Sequence, residues 1–270
     1  GAAERRFRLP TSIRATQSIS VKADTPVPIR AVGASEGLIN VFSMGGITLD
    51  GSLINRTGLT SLTDKGTGIR QGTEADVTIA ARQLRISSVQ DVGAAPDLSG
   101  LRKPLRIDMS VNGQNQPLST LWAEVTNGSL FLDAVSPVRA ERLSSQGTTW
   151  LHATGAISTA NQGEVFGKVV DLVSTNGSIT GDSPSSAVNY RGGILSAQAR
   201  GDIRIDNQGE VLRVNEVVSS EGDIVISSRT GMRDAREELP TEIRSEEQIQ
   251  ELWDERLKMT DRAEALADAQ

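Results

Sequence analysis

Few side chains in this sequence could do chemistry, and each has a plainer use. His152 is the only histidine, so a Ser-His-Asp triad could draw on no other imidazole base. No neighbouring residue marks a nucleophile or an orienting acid, and a surface or corner position is expected. Arg200-Gly201-Asp202 spells the tripeptide carried by integrin ligands, but the slot 21 residues on holds Glu221-Gly222-Asp223. The Gly-Asp pair therefore belongs to a repeat and the arginine is incidental. Trp122 and Trp150, 28 residues apart, could share a platform for a stacked sugar, although core filling or loop anchoring is the expected role. Asp50-Gly51, Asp64-Lys65-Gly66 and Asp206-Asn207 could offer oxygens to calcium. That ion wants roughly six to eight of them, and the dense Gly-Gly-x-Gly-x-Asp repeat of calcium-filled solenoids is missing, so these pairs read as turns. Lys65-Gly66-Thr67-Gly68 lacks the leading glycine and spacing of a phosphate loop. Asn55-Arg56-Thr57, Asn127-Gly128-Ser129 and Asn176-Gly177-Ser178 fit the glycosylation sequon but read better as corners. No catalytic residue, cofactor or metal is expected, and the chain is not expected to be an enzyme.

The elements that carry these residues are set by recurrence. Gly201-Asp202-Ile203-Arg204-Ile205 returns after 21 residues as Gly222-Asp223-Ile224-Val225-Ile226. Thr126-Asn127-Gly128-Ser129-Leu130 returns after 49 as Thr175-Asn176-Gly177-Ser178-Ile179, and Asn161-Gln162-Gly163-Glu164-Val165 after 46 as Asn207-Gln208-Gly209-Glu210-Val211; both gaps read as two steps. Gly155, Gly177, Gly201 and Gly222 keep the same rhythm, 22, 24 and 21 residues apart, and Gly46-Ile47 and Gly68-Ile69 open similar stretches. Such a step holds about three strands of about five residues with tight corners, which is one coil of a solenoid. Between corners the apolar residues alternate, as in Ile203 and Ile205, so that every second side chain points inward. Asn-Gly also marks β-hairpins, but a meander has no need of whole phrases at a common step.

Composition agrees with a narrow β core. Hydrophobic residues make up 37% of the 270, aromatic residues only 3%, so Val, Ile, Leu and Ala must fill the interior. There is no cysteine, which removes disulfides, thiolate zinc and a thiol nucleophile. The net charge of −6 sits mostly in 245–270, where eight acids face three bases. No basic stripe interleaved with aromatics is present; the Arg5, Arg6, Arg8 and Arg14 cluster is small and terminal, and nucleic acid is not an expected partner. No run of about 18 apolar residues would span a membrane. The opening Gly-Ala-Ala-Glu-Arg-Arg lacks the apolar stretch of a secretory signal, which reads as a processed chain or a segment of a longer one.

The phrases Gly-Asp-Ile-Arg-Ile-Asp (201–206), Val-Val-Ser-Ser-Glu-Gly-Asp-Ile-Val-Ile-Ser-Ser (217–228) and Thr-Asn-Gly-Ser-Ile-Thr (175–180) resemble the repeats of filamentous-haemagglutinin-like giant bacterial exoproteins, in style over about 37–236. The resemblance implies a right-handed parallel β-helix, export from the cell, and a role in adhesion, matrix formation or surface coating. The motifs are degenerate and speak to fold more than to activity.

The expected organisation is thus all-β: an extended N-terminal segment over 1–30, with Phe7-Arg8-Leu9-Pro10 and Thr25-Pro26-Val27-Pro28-Ile29, a β-helix over 31–236, and a helical tail or cap over 237–270. Pro96, Pro104 and Pro117 make 97–117 an irregular bulge in the stack. In the tail, Ser245-Glu246-Glu247-Gln248 reads as a capping box. Ile249, Leu252, Trp253, Leu257, Met259, Ala263 and Leu266 then share one face of an α-helix, which should cap its own solenoid or, through Ile249, Leu252, Trp253 and Leu257, touch another chain. The function expected is a rod segment of a bacterial surface or secreted protein that spaces or displays something outside the cell. Its expected partners are protein, by self-assembly or through adjoining segments of a longer chain, or surface glycans. The alternatives are a polysaccharide-binding or polysaccharide-cleaving β-helix and a subunit of an extracellular filament. A polysaccharide lyase should gather Asp, Lys and Arg in register on one strand face, and no such column is legible in the sequence.

Overall fold

The computed structural model describes residues 13–15, 19–23, 31–33, 37–72, 77–96, 103–110 and 119–238. Two units divide the chain, Gly1–Arg233 and Asp234–Gln270. In the first, parallel strands stack as a β-solenoid of about eight turns. In the second, Ala235–Glu238 forms one 3-10 turn. The helical tail expected at 245–266, with Ile249, Leu252, Trp253 and Leu257, lies outside the described residues, as do parts of the 97–117 stretch, where only the strand Leu105–Asp108 and its flanks are described.

Every ladder whose register is described is parallel, so the hairpin alternative is excluded. Cross-coil hydrogen bonds join residues 18 to 26 apart, the span of one turn. Three walls result. The first stacks 38–43, 59–64, 83–88 and 120–125, then 142–145, 164–166 and 189–191. The second stacks Ile47–Leu49, Ile69–Gln71 and Val92, then Leu130–Ala134, Thr148–Ala153, 169–174, 194–199 and 213–219. The third stacks 31–32, 53–55, 79–81 and 107–108 early, and 138–140, 157–159, 179–180, 203–205 and 224–226 later. Strands Ile13–Ala15 and Ile19–Ala23 already pair in parallel with Ala31–Gly33 and Leu38–Ser43, so the ladders take in residues ahead of 31.

The alternation seen in the sequence is the alternation of the walls. Leu53–Asp64 and Leu130–Ala134 bury every second side chain, and the buried ones stack coil on coil. Leu105, Leu132, Leu151, Leu172 and Ala197 make one column; Ile157, Ile179, Ile203 and Ile224 make another. Each buried Leu or Ile removes enough apolar surface from water to contribute about 1.5–3 kcal/mol, and small aliphatics suit a tube too narrow for rings.

The corners explain the glycines. Asn176 N donates to Thr154 O and Gly201 N to Gly177 O, so Gly155, Gly177, Gly201 and Gly222 occupy one corner on successive coils. A Cβ on Gly177 would sit 2.5 Å from Ala156 N, and one on Gly222 2.5 Å from Asp202 N. Glycine is there so that the next backbone can approach. Gly46 and Gly68, at φ +112 and +106, serve a different corner, which leads into the second wall.

Only one of the three recurring phrases is in register. Ile203 pairs with Ile224. Asn127 N donates to Val89 O, whereas Asn176 N donates to Thr154 O, so these two Asn-Gly pairs turn different corners. Val165 leads through Tyr190 to Asn207, which places Asn207 two coils from Val165 and not from Asn161. All corners of a coil ask for the same turn chemistry, so a phrase can recur at another corner.

The walls are not equal throughout. At Leu130–Ala134 one strand replaces two: Leu130 follows Val92, while Leu132 and Ala134 follow Leu105 and Ile107. The next strand, Val138–Ser145, starts a new third wall where Met109 N donates to Ser136 Oγ.

Tyr190 is the one ring in the column between Val165 and Asn207, fully buried, with no hydrogen-bond partner for its hydroxyl among the described residues. Burial pushes its phenol pKa well above the ordinary value, with the Arg213 charge opposing. Tyr190→Phe should therefore leave stability unchanged or raise it by up to about 1 kcal/mol, because an unsatisfied buried hydroxyl is removed. Tyr190→Ala should cost about 3–5 kcal/mol. Urea midpoints check both, and a Phe variant clearly less stable than the parent would show that the hydroxyl is satisfied.

Candidate functional site

The outer surface of the second wall gathers the residues with most chemical potential. Its strands alternate inward Leu130, Leu132, Leu151 and Leu172 with outward side chains. Parallel register turns the outward positions into two rows: Phe131, Trp150, Asp171, Ser196 and Glu216; and Asp133, His152, Val173, Gln198 and Val218. The sole histidine is thus not isolated. Its Nδ1 lies 2.7 Å from Asp133 Oδ1, one coil back, and its Nε2 2.9 Å from Thr175 Oγ1, one coil on. An ionised Asp133 can only accept, so Nδ1 carries the proton and a neutral ring accepts the Thr175 hydroxyl at Nε2. The Trp150 and His152 rings lie 6.0 Å apart at 39°. Asp171 is held above its usual pKa, first by burial and then by the nearby Glu216 charge.

An acid, imidazole and hydroxyl in a row have the connectivity of a nucleophilic triad. Around Thr175, however, the backbone amides are committed: Thr175 N donates to Ala153 O and Asn176 N to Thr154 O, both inter-coil bonds. These local donors are taken by the stack and do not face a developing oxyanion. The row is suited to holding polar groups at the surface. Asp133 and Thr175 stand 19 and 23 residues from His152, so a search one coil-step to either side of the histidine would have found them.

Trp122 and Trp150 do not share a platform. Trp122 is on the first wall, in register with Arg85 and Arg142, and Trp150 is on the second. Twenty-eight residues is one coil plus part of the next, which carries the chain to another face. The first wall also corrects the expectation that no charged column exists: Arg85, Trp122, Arg142 and Glu164 are stacked in register. The guanidinium of Arg85 lies 5.2 Å from the Trp122 ring centroid. Arg142 reaches Glu124 and Glu164 at 3.8 Å each, and Arg191 reaches Glu164 at 3.3 Å. The variable coil step hid this column. Its charges are spent on one another, each exposed pair contributing about 0–1 kcal/mol.

The remaining candidates resolve as structure. Arg200 is bound to Glu221 at 2.9 Å, while Asp202 accepts from Asp223 N at 3.0 Å and Arg204 at 3.2 Å, so the Arg-Gly-Asp tripeptide is tied down at a corner. Asp64 is a corner acceptor for Gly66 N and Gly68 N. Asn55 is buried, its amide donating to Gly37 O one coil back and to Leu59 O, the corner role expected of it. Among the described residues no three His, Asp or Glu side chains gather as a metal site.

No family model, no curated protein and no solved structure matches the chain.

Proposed function

We propose that Gly1–Arg233 is a shaft segment of an exported bacterial surface or secreted protein, wound right-handed, which spaces or displays neighbouring parts outside the cell, and that the chain is not an enzyme. The observation that carries this reading is the unbroken parallel stack: each wall is laid directly on the one before, with aliphatic columns inside and backbone ladders outside. Parallel strands joined by crossovers are right-handed in the great majority of proteins. About eight turns at about 4.8 Å each give a segment on the order of 40 Å long. Export and adhesion are supported by the phrases that resemble filamentous-haemagglutinin-like exoproteins and by the absence of cysteine. The Asn-Gly and Gly-Asp corners serve winding, which accounts for the richest motifs without a reaction.

Export is tested by protease shaving of intact cells that produce the full gene product. Peptides from 119–233 should be released while a cytoplasmic marker protein stays intact. Complete protection of those peptides in cells whose surface proteins are shaved would remove the extracellular shaft from consideration.

A further inference from the structure

We infer that the outward rows of the second wall form a binding strip for a neutral, hydroxyl-rich polysaccharide chain. The inference goes beyond the shaft reading and does not depend on it. Phe131 and Trp150 occupy consecutive outward positions of one ladder, about 4.8 Å apart, and both are half-buried, their rings braced by the wall. Two aromatic rings in succession offer apolar surface to the C–H faces of successive sugar rings. Polar groups stand beside them in the register a sugar's hydroxyls need. The Asp133–His152–Thr175 row flanks the rings, and Asp171 and Ser196 continue their line. Past His152 the surface dips into a groove lined by Val173, Thr175, Gln198, Arg200 and Val218.

Charge selects the class of saccharide. Asp133, Asp171 and Glu216 face outward here, and Arg200 at the groove is already paired with Glu221. A uronate or sulfated chain would meet carboxylates; neutral hydroxyls can donate to them. The first wall lacks this fitness, because Trp122 is engaged by Arg85 and its charged neighbours are paired among themselves.

Affinity electrophoresis of the full chain in native gels tests the strip, with laminarin, konjac glucomannan or polygalacturonate cast into the gel. At least one of the two neutral polysaccharides should retard the protein. Trp150→Ala should weaken that retardation by about tenfold, and Thr175→Val, which keeps the side-chain volume, should weaken it measurably, while Trp122→Ala leaves it unchanged. Far-UV circular dichroism confirms that each variant is folded, and Phe131→Ala replaces Trp150→Ala should that variant unfold. No retardation by either neutral probe, stronger retardation by polygalacturonate, or equal loss in Trp122→Ala each overturns the proposal.

Discussion

Asp64→Ala is expected to lower the unfolding free energy by about 3–5 kcal/mol, because it strands donors that have no access to water. The Asp64 carboxylate is fully buried and accepts from Gly66 N and Gly68 N at 2.9 Å and from Ser88 Oγ at 3.1 Å. The first two bonds close the corner after Leu53–Asp64, where Gly68 takes φ +106. The third ties that corner to the coil above. Asp64→Asn keeps the shape and one acceptor but turns an amide donor toward donors, and should cost about 1–3 kcal/mol. Ser88→Ala removes one donor and should cost less in the Asp64→Ala background than alone, because the two share a bond. Urea denaturation followed by circular dichroism measures all four proteins. Equal stability of Asp64→Ala and the parent would mean that the corner is open to solvent.

The second large effect is steric. Gly177→Ala should destabilise by about 2–3 kcal/mol, because the new methyl has nowhere to go. Its Cβ would lie 2.5 Å from Ala156 N and 2.6 Å from Ala156 Cα, both backbone atoms of the coil below. That coil must move, and with it the bonds from Asn176 N to Thr154 O and from Gly201 N to Gly177 O. Gly209→Ala is the contrast: the nearest atom to its Cβ is Arg191 Cγ at 3.2 Å, part of a long exposed side chain that can swing aside. That change should stay within about 1 kcal/mol of the parent. If both variants melt together, the glycine corner is not a close approach between coils.

These two corners show what could be read in advance. The Gly155, Gly177, Gly201 and Gly222 rhythm and the match of Ile203 with Ile224 were legible because glycine and alternation report local geometry, and local geometry repeats. The parallel stack, the coil size and the aliphatic core all followed from them. Which outward side chains meet was not legible. Period two says whether a side chain points in or out, but a neighbour one coil away is fixed by a step that varies from 18 to 26 residues. His152 therefore looked solitary, although Asp133 and Thr175 bracket it, and Trp122 was paired in expectation with Trp150 when its structural neighbours are Arg85 and Arg142. Asp64 was legible as a turn residue; that its carboxylate is sealed and also holds Ser88 depends on the coil above. The merging of two strands into Leu130–Ala134 falls beside the proline-rich stretch, where no repeat phrase marks the change of phase.

The ladders of the solenoid join each coil only to the one below and the one above. Heredity can therefore rewrite this surface panel by panel. An outward residue such as Phe131 answers to its two vertical neighbours and to nothing farther along, so new recognition can be tried on one coil while distant coils keep theirs. Such a framework is highly evolvable, and it leaves little trace of common descent on its exterior.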